Sequence, residues 1–356
     1  MTKSRVFSLF EEFDKEQKEN LQRERSLNSD ILMVDGMNTF MRVWSMYPTT
    51  NDNGDHIGGY TGFLKSVGHA IRLLKPTRCI IVFDGRDGTR DRKKIYPEYK
   101  NRKNSKFRVN RAMSLEMGLD EEEQSMKYQI VKLVEYLRIL PTTMICIDYT
   151  EADDIVGHLV TEKFTEPGQQ CTIMSTDADF LQLVNHRVSV YSPTKRTIYT
   201  PEILLREYGI SAENFLTYRM IMGDTGDNIR GIYGVGDKKI KKAFPNLSEE
   251  RYVDMKELTE IAERGVKSLP FYKTFLKDEN RELLERNSKL MQLNKFGFSE
   301  DDQETINSLI DSPPSPTNKF EFSKKFAEDR LWSAFPNYNA WLMETWSVLN
   351  GYANFS

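Results

Sequence analysis

The sequence has little of what marks a secreted, membrane-embedded or nucleotide-binding chain. Its 356 residues hold three cysteines, Cys79, Cys146 and Cys171, odd in number and scattered through apolar runs. That scatter excludes a disulfide framework or a zinc site and predicts buried thiols in a reducing compartment. The longest apolar runs, such as Cys79 to Phe83, are far short of the ~20 residues a spanning helix needs, so no membrane partner is expected. Met1 to Asn20 is charged throughout and lacks the apolar centre of a signal peptide, which makes the cytoplasm the expected location. There is no Walker sequence, and Gly36 or Gly85 alone does not make a dinucleotide fingerprint. Charge of one sign is lacking too: 50 Lys and Arg face 53 Asp and Glu, for a net −3. That sum argues against a polyanionic partner only if the charges are evenly spread, and here they are segregated. What remains, 39% hydrophobic and 29% charged residues, fits one large globular domain or two unequal ones.

Apolar runs at Ile31–Val34 and Cys79–Phe83 each end in Asp-Gly, at Asp35 and Asp84. Between them, 60–74 has helical periodicity, so the unit reads as βαβ and predicts a parallel sheet. A third strand, Thr143–Ile147, precedes Glu151-Ala-Asp153-Asp154 and a helix through Val160. A fourth, Thr172–Met174, precedes Ser175-Thr-Asp177-Ala-Asp179. The pattern is a doubly wound α/β fold with acids collected on one sheet edge, where such folds bind ligands. The spacing of Val6, Phe7, Leu9, Phe10 and Phe13 predicts one amphipathic helix in the N-terminal extension, 1–29.

Asp35, Asp84, Glu151, Asp153, Asp154, Asp177 and Asp179 fall at four strand ends, and Asp224 and Asp227 follow in a loop. Taken singly, each reads as a turn former or a helix-start acid. Their recurrence after successive strands does not. Gathered together, nine carboxylates would repel one another by several kcal/mol at an effective ε of ~20 unless cations neutralise them. Hard divalent ions take such oxygen ligands, and two ions ~3.5–4 Å apart activate water and stabilise the leaving oxygen of a phosphodiester.

From Arg86 to Arg111 eleven Lys or Arg meet three acids, with Tyr96, Tyr99 and Phe107 interleaved. A solvated loop is the bland reading. Tethered directly after Asp84, the run could instead hold phosphates, with Lys100, Arg102 and Lys103 the best candidates and the tyrosines available to stack on bases. In Gly231-Ile-Tyr-Gly234-Val-Gly236 the glycines allow special backbone conformations, and Lys238, Lys239, Lys241 and Lys242 follow on a helix. Such a loop binds phosphate without reading sequence, although a plain turn before a surface helix would look the same. Ser312-Pro-Pro-Ser-Pro316 is a linker signal. The tail after it, 320–356, holds ten of forty aromatics, including Trp332, Phe335, Trp341 and Trp346.

Six motifs in order, VDGMNTFMR at 34–42, VFDG at 82–85, PEYKNRK at 97–103, EADD at 151–154, STDADF at 175–180 and GDTGDNIRGIYGVGDKK at 223–239, resemble the structure-specific 5′-nuclease or flap-endonuclease superfamily. The likeness is closest to its bacteriophage 5′→3′ exonucleases and to the 5′-nuclease domain of bacterial DNA polymerase I, and covers about 30–300. It implies a PIN-like α/β sheet flanked by helices, with a helical arch and a helix-hairpin-helix subdomain. It further implies a Mg²⁺-dependent phosphodiesterase with two ions, for which Mn²⁺ can substitute. Asp35, Asp84 and Asp153 would serve the first ion, and Asp177, Asp179, Asp224 and Asp227 the second; Glu151 and Asp154 stay unassigned. Lys100 resembles the arch lysine at the reacting phosphate, with Arg102 its companion, and Arg42 a substrate contact. Gly231 to Gly236 resembles the loop that docks the duplex backbone, often with K⁺.

The expected domains are 1–29, a nuclease core at 30–200 with the arch at 86–111, the helix-hairpin-helix subdomain at 201–311, and the linker and tail at 312–356. The expected activity is 5′→3′ exonuclease and flap endonuclease on 5′-ended or branched DNA and RNA–DNA hybrid, removing RNA primers or flaps. The expected form is a monomer in the cytoplasm, the host's if a bacteriophage encodes it. Two rivals are a catalytically silent junction binder and a PIN-like ribonuclease. The aromatic tail either packs back on the core or, with the N-terminal helix, offers an apolar patch to a single-strand-binding protein or a clamp.

Overall fold

The computed structural model describes residues 26–101, 118–293 and 297–353. Its centre is a six-stranded sheet in the order β3-β2-β1-β4-β5-β6. The strands are β1 (Asp30–Asp35), β2 (Arg78–Asp84), β3 (Thr143–Ile147), β4 (Gln170–Met174), β5 (Val188–Ser192) and β6 (Thr197–Tyr199). All pairings are parallel except β5 with β6. β1 and β2 read as continuous apolar runs because both faces of each are covered by helices. The order reverses at β1, so the carboxyl ends of β2, β1 and β4 meet at the switch point where doubly wound sheets open a crevice.

Each face of the sheet has its own core. On one, Leu32, Val34, Cys79 and Ile81 pack with Phe40, Trp44, Phe63 and Val67 of helices Gly36–Met46 and Gly58–Leu74 and with Tyr136 of helix Leu119–Leu137. On the other, Ile31, Met33, Ile80 and Val82 pack with helix Ala152–His158 and then, without a break, with Phe215, Ile240, Phe244 and Leu258. The segment 201–311 therefore shares a core with the sheet.

The tail is built into the first core. Phe322, Phe326 and Trp346 are fully buried, Phe335 nearly so, and helix Tyr338–Asn350 lies along Gly58–Leu74. Trp332 alone of the four named aromatics stays open, its ring edge-on to Phe326. The proline stretch is anchored too: Ser312 accepts from Arg78, and Thr317 donates to Asn350 Oδ1. It connects packed helices and is not a free linker.

Cys79 and Cys171 are buried as expected, but Cys146 is exposed. It lies on edge strand β3, where Ile145 and Ile147 face one core and, on the alternate side, Met144 is half-covered by the other while Cys146 is left open. Strands β5 and β6 were not anticipated. The expected N-terminal helix lies outside the described residues. No helix among the described residues is long and apolar enough to cross a membrane.

Candidate active site at the acidic sheet edge

Asp35 ends β1 and caps the helix that follows. Its Oδ1 accepts from the Asn38 backbone N–H at 3.0 Å and its Oδ2 from Ser175 Oγ at 3.0 Å, which ties the end of β1 to the end of β4. Asp84, at the end of β2, accepts from the Ala152 N–H at 2.9 Å and fixes the start of the helix carrying Asp153. Asp177 caps a 3₁₀ turn through the Asp179 N–H at 2.9 Å. Among the described residues these acids and Asp153 have no ion-pair partner, and their mutual repulsion shows. Burial first, then Asp84 and Asp177, raises the Asp35 pKa to about 7. Burial likewise pushes Asp153 well above the ordinary carboxylate range, with Asp177 and Asp35 adding to it.

The other five carboxylates are held by cations of the chain itself. Arg92 donates to Glu151 Oε2 at 2.5 Å and to both oxygens of Asp154 at 2.9 and 2.5 Å, while its Nε donates to the Leu290 carbonyl at 2.8 Å. Lys100 pairs with Glu151 and stands 3.9 Å from Asp227, and its backbone N–H donates to the Asp227 carbonyl at 2.9 Å. Burial would raise the Glu151 pKa, but Arg92 and Lys100 outweigh it and hold the carboxyl below its usual value. Arg219 donates twice to Asp179 Oδ1, at 2.9 and 2.7 Å, and once to Asp224 Oδ2.

The structure thus brings all nine acids to one edge, but not into one nest. Among the described residues no group of three or more His, Cys, Asp or Glu is close enough to close on a metal ion. The all-oxygen donor set, and the repulsion within Asp35, Asp84, Asp153 and Asp177 that Lys100 offsets only in part at Asp153, nevertheless fit a hard divalent cation.

Several expectations change. Tyr99 is not free to stack on bases: it is 2% exposed, packed with Ile229, Leu290 and Met291, and its hydroxyl points to Glu151 and Asp227. Tyr96 packs beneath the Arg286 guanidinium, 4.4 Å from its ring centroid. Arg102 and Lys103 lie outside the described residues, and the arch expected at 86–111 is described only to 101, as a turn and the short helix Arg90–Ile95. Gly231 is a packing glycine, since a Cβ there would stand 2.2 Å from the Met222 carbonyl oxygen. Gly234 does need its freedom, at φ 71, and Gly236 precedes helix Asp237–Ala243. Beside them Lys238 and Lys239 are exposed, and Tyr233 stands 97% exposed at the loop tip. Arg42 opens onto a cleft with Lys65 and Arg196, its Nη2 on Ser66 Oγ at 2.9 Å.

Sequence reasoning missed Arg92, Arg219 and Ser175. Arg92 is hidden in a basic run, with nothing but its place on the inner side of a short helix to set it apart from Lys93. Arg219 had a signal, a lone cation in an apolar helix just before Gly223-Asp224. Ser175 had one too, adjoining the acid pair after β4.

Fold and edge together define an α/β domain with an acid-lined switch point and Lys100 at its rim, suited to a polyanion held through metal ions. Residues 30–209 match the family described as 5′-3′ exonuclease, N-terminal resolvase-like domain, and the chain belongs to that family. The chain is similar to the 5′-3′ exonuclease of Aquifex aeolicus (strain VF5), 28% identical over 209 residues, 58% of this chain and 66% of that one. It therefore spans just under two thirds of that relative. A 5′-3′ exonuclease of Buchnera aphidicola subsp. Acyrthosiphon pisum is 26% identical over 247 residues, 68% and 80% of the two chains. A T5 flap endonuclease solved as a pseudo-enzyme-product complex with DNA and metal ions has a similar fold, with TM-score 0.55 and 20% identity over 86% of this chain and 99% of that one.

Proposed function

We propose that the chain is a metal-dependent 5′-nuclease that hydrolyses phosphodiester bonds of DNA near 5′ ends or junctions, as exonuclease and flap endonuclease. The observation that carries this reading is the mutually repelling quartet Asp35, Asp84, Asp153 and Asp177 at the switch point of a sheet belonging to the 5′-3′ exonuclease family. The metal ions bound to the T5 protein of similar fold support metal dependence, and its DNA supports the substrate class. Two Mg²⁺ ions, with Mn²⁺ able to replace them, would be held by the quartet and by Asp179, Asp224 and Asp227. When bound, such ions activate water and neutralise the leaving oxygen.

The chain's own residues do the rest. Ser175 and Asn38 orient Asp35, the Ala152 N–H orients Asp84, and Arg92 fixes Glu151 and Asp154 so that they do not swing into the quartet. The Lys100 ammonium, kept charged by Glu151 despite burial, would meet the reacting phosphate. Lys238, Lys239 and the Gly234 turn dock the duplex backbone. Lys239 Nζ already donates to the Gly234 carbonyl at 2.6 Å, so a K⁺ ion there would compete with it. RNA primers of RNA–DNA hybrids and flaps of replication or repair intermediates are the proposed targets, acted on by a monomer in the cytoplasm. In the proposed division, 30–200 supplies most of the chemistry, and 201–311 adds Asp224 and Asp227 to it and grips the duplex.

The test is a panel of 5′-labelled flap, nicked, hybrid and blunt duplexes with Mg²⁺ or EDTA. The expected result is release of 5′ fragments from flap and nicked substrates, abolished by EDTA. Tight junction binding with no cleavage in Mg²⁺ would favour the silent binder.

A further inference from the structure

Three basic side chains meet the acidic edge, and they are not fixed alike. Arg92 is 6% exposed and has a partner outside the acids, the Leu290 carbonyl, so it is locked in place. Lys100 is tied through its own backbone to Asp227. Arg219 stands on the last turn of helix Phe215–Met222, is 17% exposed, and among the described residues hydrogen-bonds only to Asp179 and Asp224. Two of its N–H groups converge on one oxygen, Asp179 Oδ1, and one of the two also serves Asp224. The guanidinium thus fills the gap between carboxylates from two chain segments, the 3₁₀ turn after β4 and the strand Gly223–Asp224.

We propose that Arg219 is a displaceable internal counter-ion: it neutralises Asp179 and Asp224 in the metal-free protein, and a divalent cation must expel it before both can become ligands. This rests on the metal-dependent reading above. An arginine cannot leave by losing its proton, because its pKa lies above ~12. It must move as an intact cation. A long side chain with no anchor beyond the two acids can do so, whereas Arg92 cannot. The edge is then unequal by construction. The quartet repels itself and takes the first ion readily, while the Asp179 and Asp224 half takes a second ion only after exchanging charge-assisted hydrogen bonds for metal bonds. Arg219 would thereby set the ion concentration at which the site becomes complete, and would spare the fold an uncompensated acidic pair when ions are scarce.

The test uses the full chain without DNA and Mn²⁺ alone as probe, with binding followed by electron paramagnetic resonance and calorimetry. The wild type is expected to show a tighter and a weaker class of Mn²⁺. Arg219→Gln, which keeps a hydrogen-bond donor but removes the charge, is expected to tighten the weaker class about tenfold. Its metal-free melting temperature should fall while its gain on adding Mn²⁺ grows. Arg219→Lys, which retains the charge with fewer donors, should bind between the two and controls for folding. A weaker class left unchanged or weakened further in Arg219→Gln overturns the counter-ion role while leaving metal dependence intact. Absence of Mn²⁺ binding in wild type and variants alike overturns the metal-dependent reading, and this one with it.

Discussion

Lys100 is held in the left-handed backbone region at φ 51, a conformation that costs a non-glycine residue roughly 1–2 kcal/mol. Its N–H on the Asp227 carbonyl and its ammonium on Glu151 offset that cost, and they aim a cation at the acidic edge. Lys100→Ala is expected to slow single-turnover cleavage by ~10²-fold, because charge developing on the phosphate loses its stabilising partner. The rate at saturating DNA checks this. A change in affinity alone would make Lys100 a tether. The same edge gives stability a pH dependence. Burial raises the pKa of Asp35 and Asp179 to about 7, so each binds more protons folded than unfolded. Their contribution is full below the ordinary carboxylate value of 3.8 and is lost as pH rises through about 7. Glu151, held low, acts in the opposite sense only at more acid pH. In EDTA the melting temperature should therefore fall between about pH 5 and about pH 7.5, and Mg²⁺ should reduce that fall. A rise over that window without metal would contradict the shared burial of these acids. The nine candidate acids were legible in the sequence, because strand-end carboxylates recur in a visible pattern. Their partners were not. Pairing Arg92 with Glu151 or Arg219 with Asp179 depends on contacts 59 and 40 residues apart, and composition carries no trace of those. Tyr99 misled for the same reason: an aromatic inside a basic run looks available until a distant helix covers it.

At the scale of elements, four of the six strands announced themselves as apolar runs followed by acids, and their parallel order followed from the helix between the first two. β5 and β6 did not. Each is only a few residues long, and β6 pairs antiparallel through a turn that includes Arg196 at φ 52. The opposite end of the sheet shows what a buried charge does when it is fully partnered. Arg78 opens β2 with no exposed surface and donates to the carbonyls of Leu309 at 2.9 Å, Ile310 at 2.5 Å and Ser312 at 2.9 Å. It closes the C-terminus of helix Glu300–Asp311, which has no basic residue in its last turn. Arg78→Ala strands those carbonyls and is expected to cost roughly 2–4 kcal/mol in urea unfolding, with Mn²⁺ binding at the far edge unchanged. A loss below about 0.5 kcal/mol would mean water replaces the guanidinium.

Across the whole molecule, the two cores on opposite faces of the sheet explain why the tail was ambiguous in sequence. Aromatic density signals an apolar surface without saying whether this chain or another covers it. Here Phe322, Phe326 and Trp346 complete the core over helices Gly58–Leu74 and Leu119–Leu137, so packing accounts for most of that surface. Deleting 317–356 should lower the melting temperature and solubility sharply. Trp346→Ala alone should cost about 3–5 kcal/mol. An unaltered melting temperature in both would show that the tail does not belong to the core. A partner such as a single-strand-binding protein or a clamp would have to dock on what stays exposed, including Trp332 and Phe320.

Those two cores hold four strand ends in register, and a metal-dependent site there requires the carboxylates that those ends carry. The most direct measurement is single-turnover cleavage of a 5′-flap DNA in Mg²⁺ by Asp153→Asn and Asp179→Asn, with junction binding followed in parallel. Each variant is expected to lose at least ~10³-fold in rate while still binding the junction. Cleavage retained by both would contradict a metal-dependent site at the acidic edge.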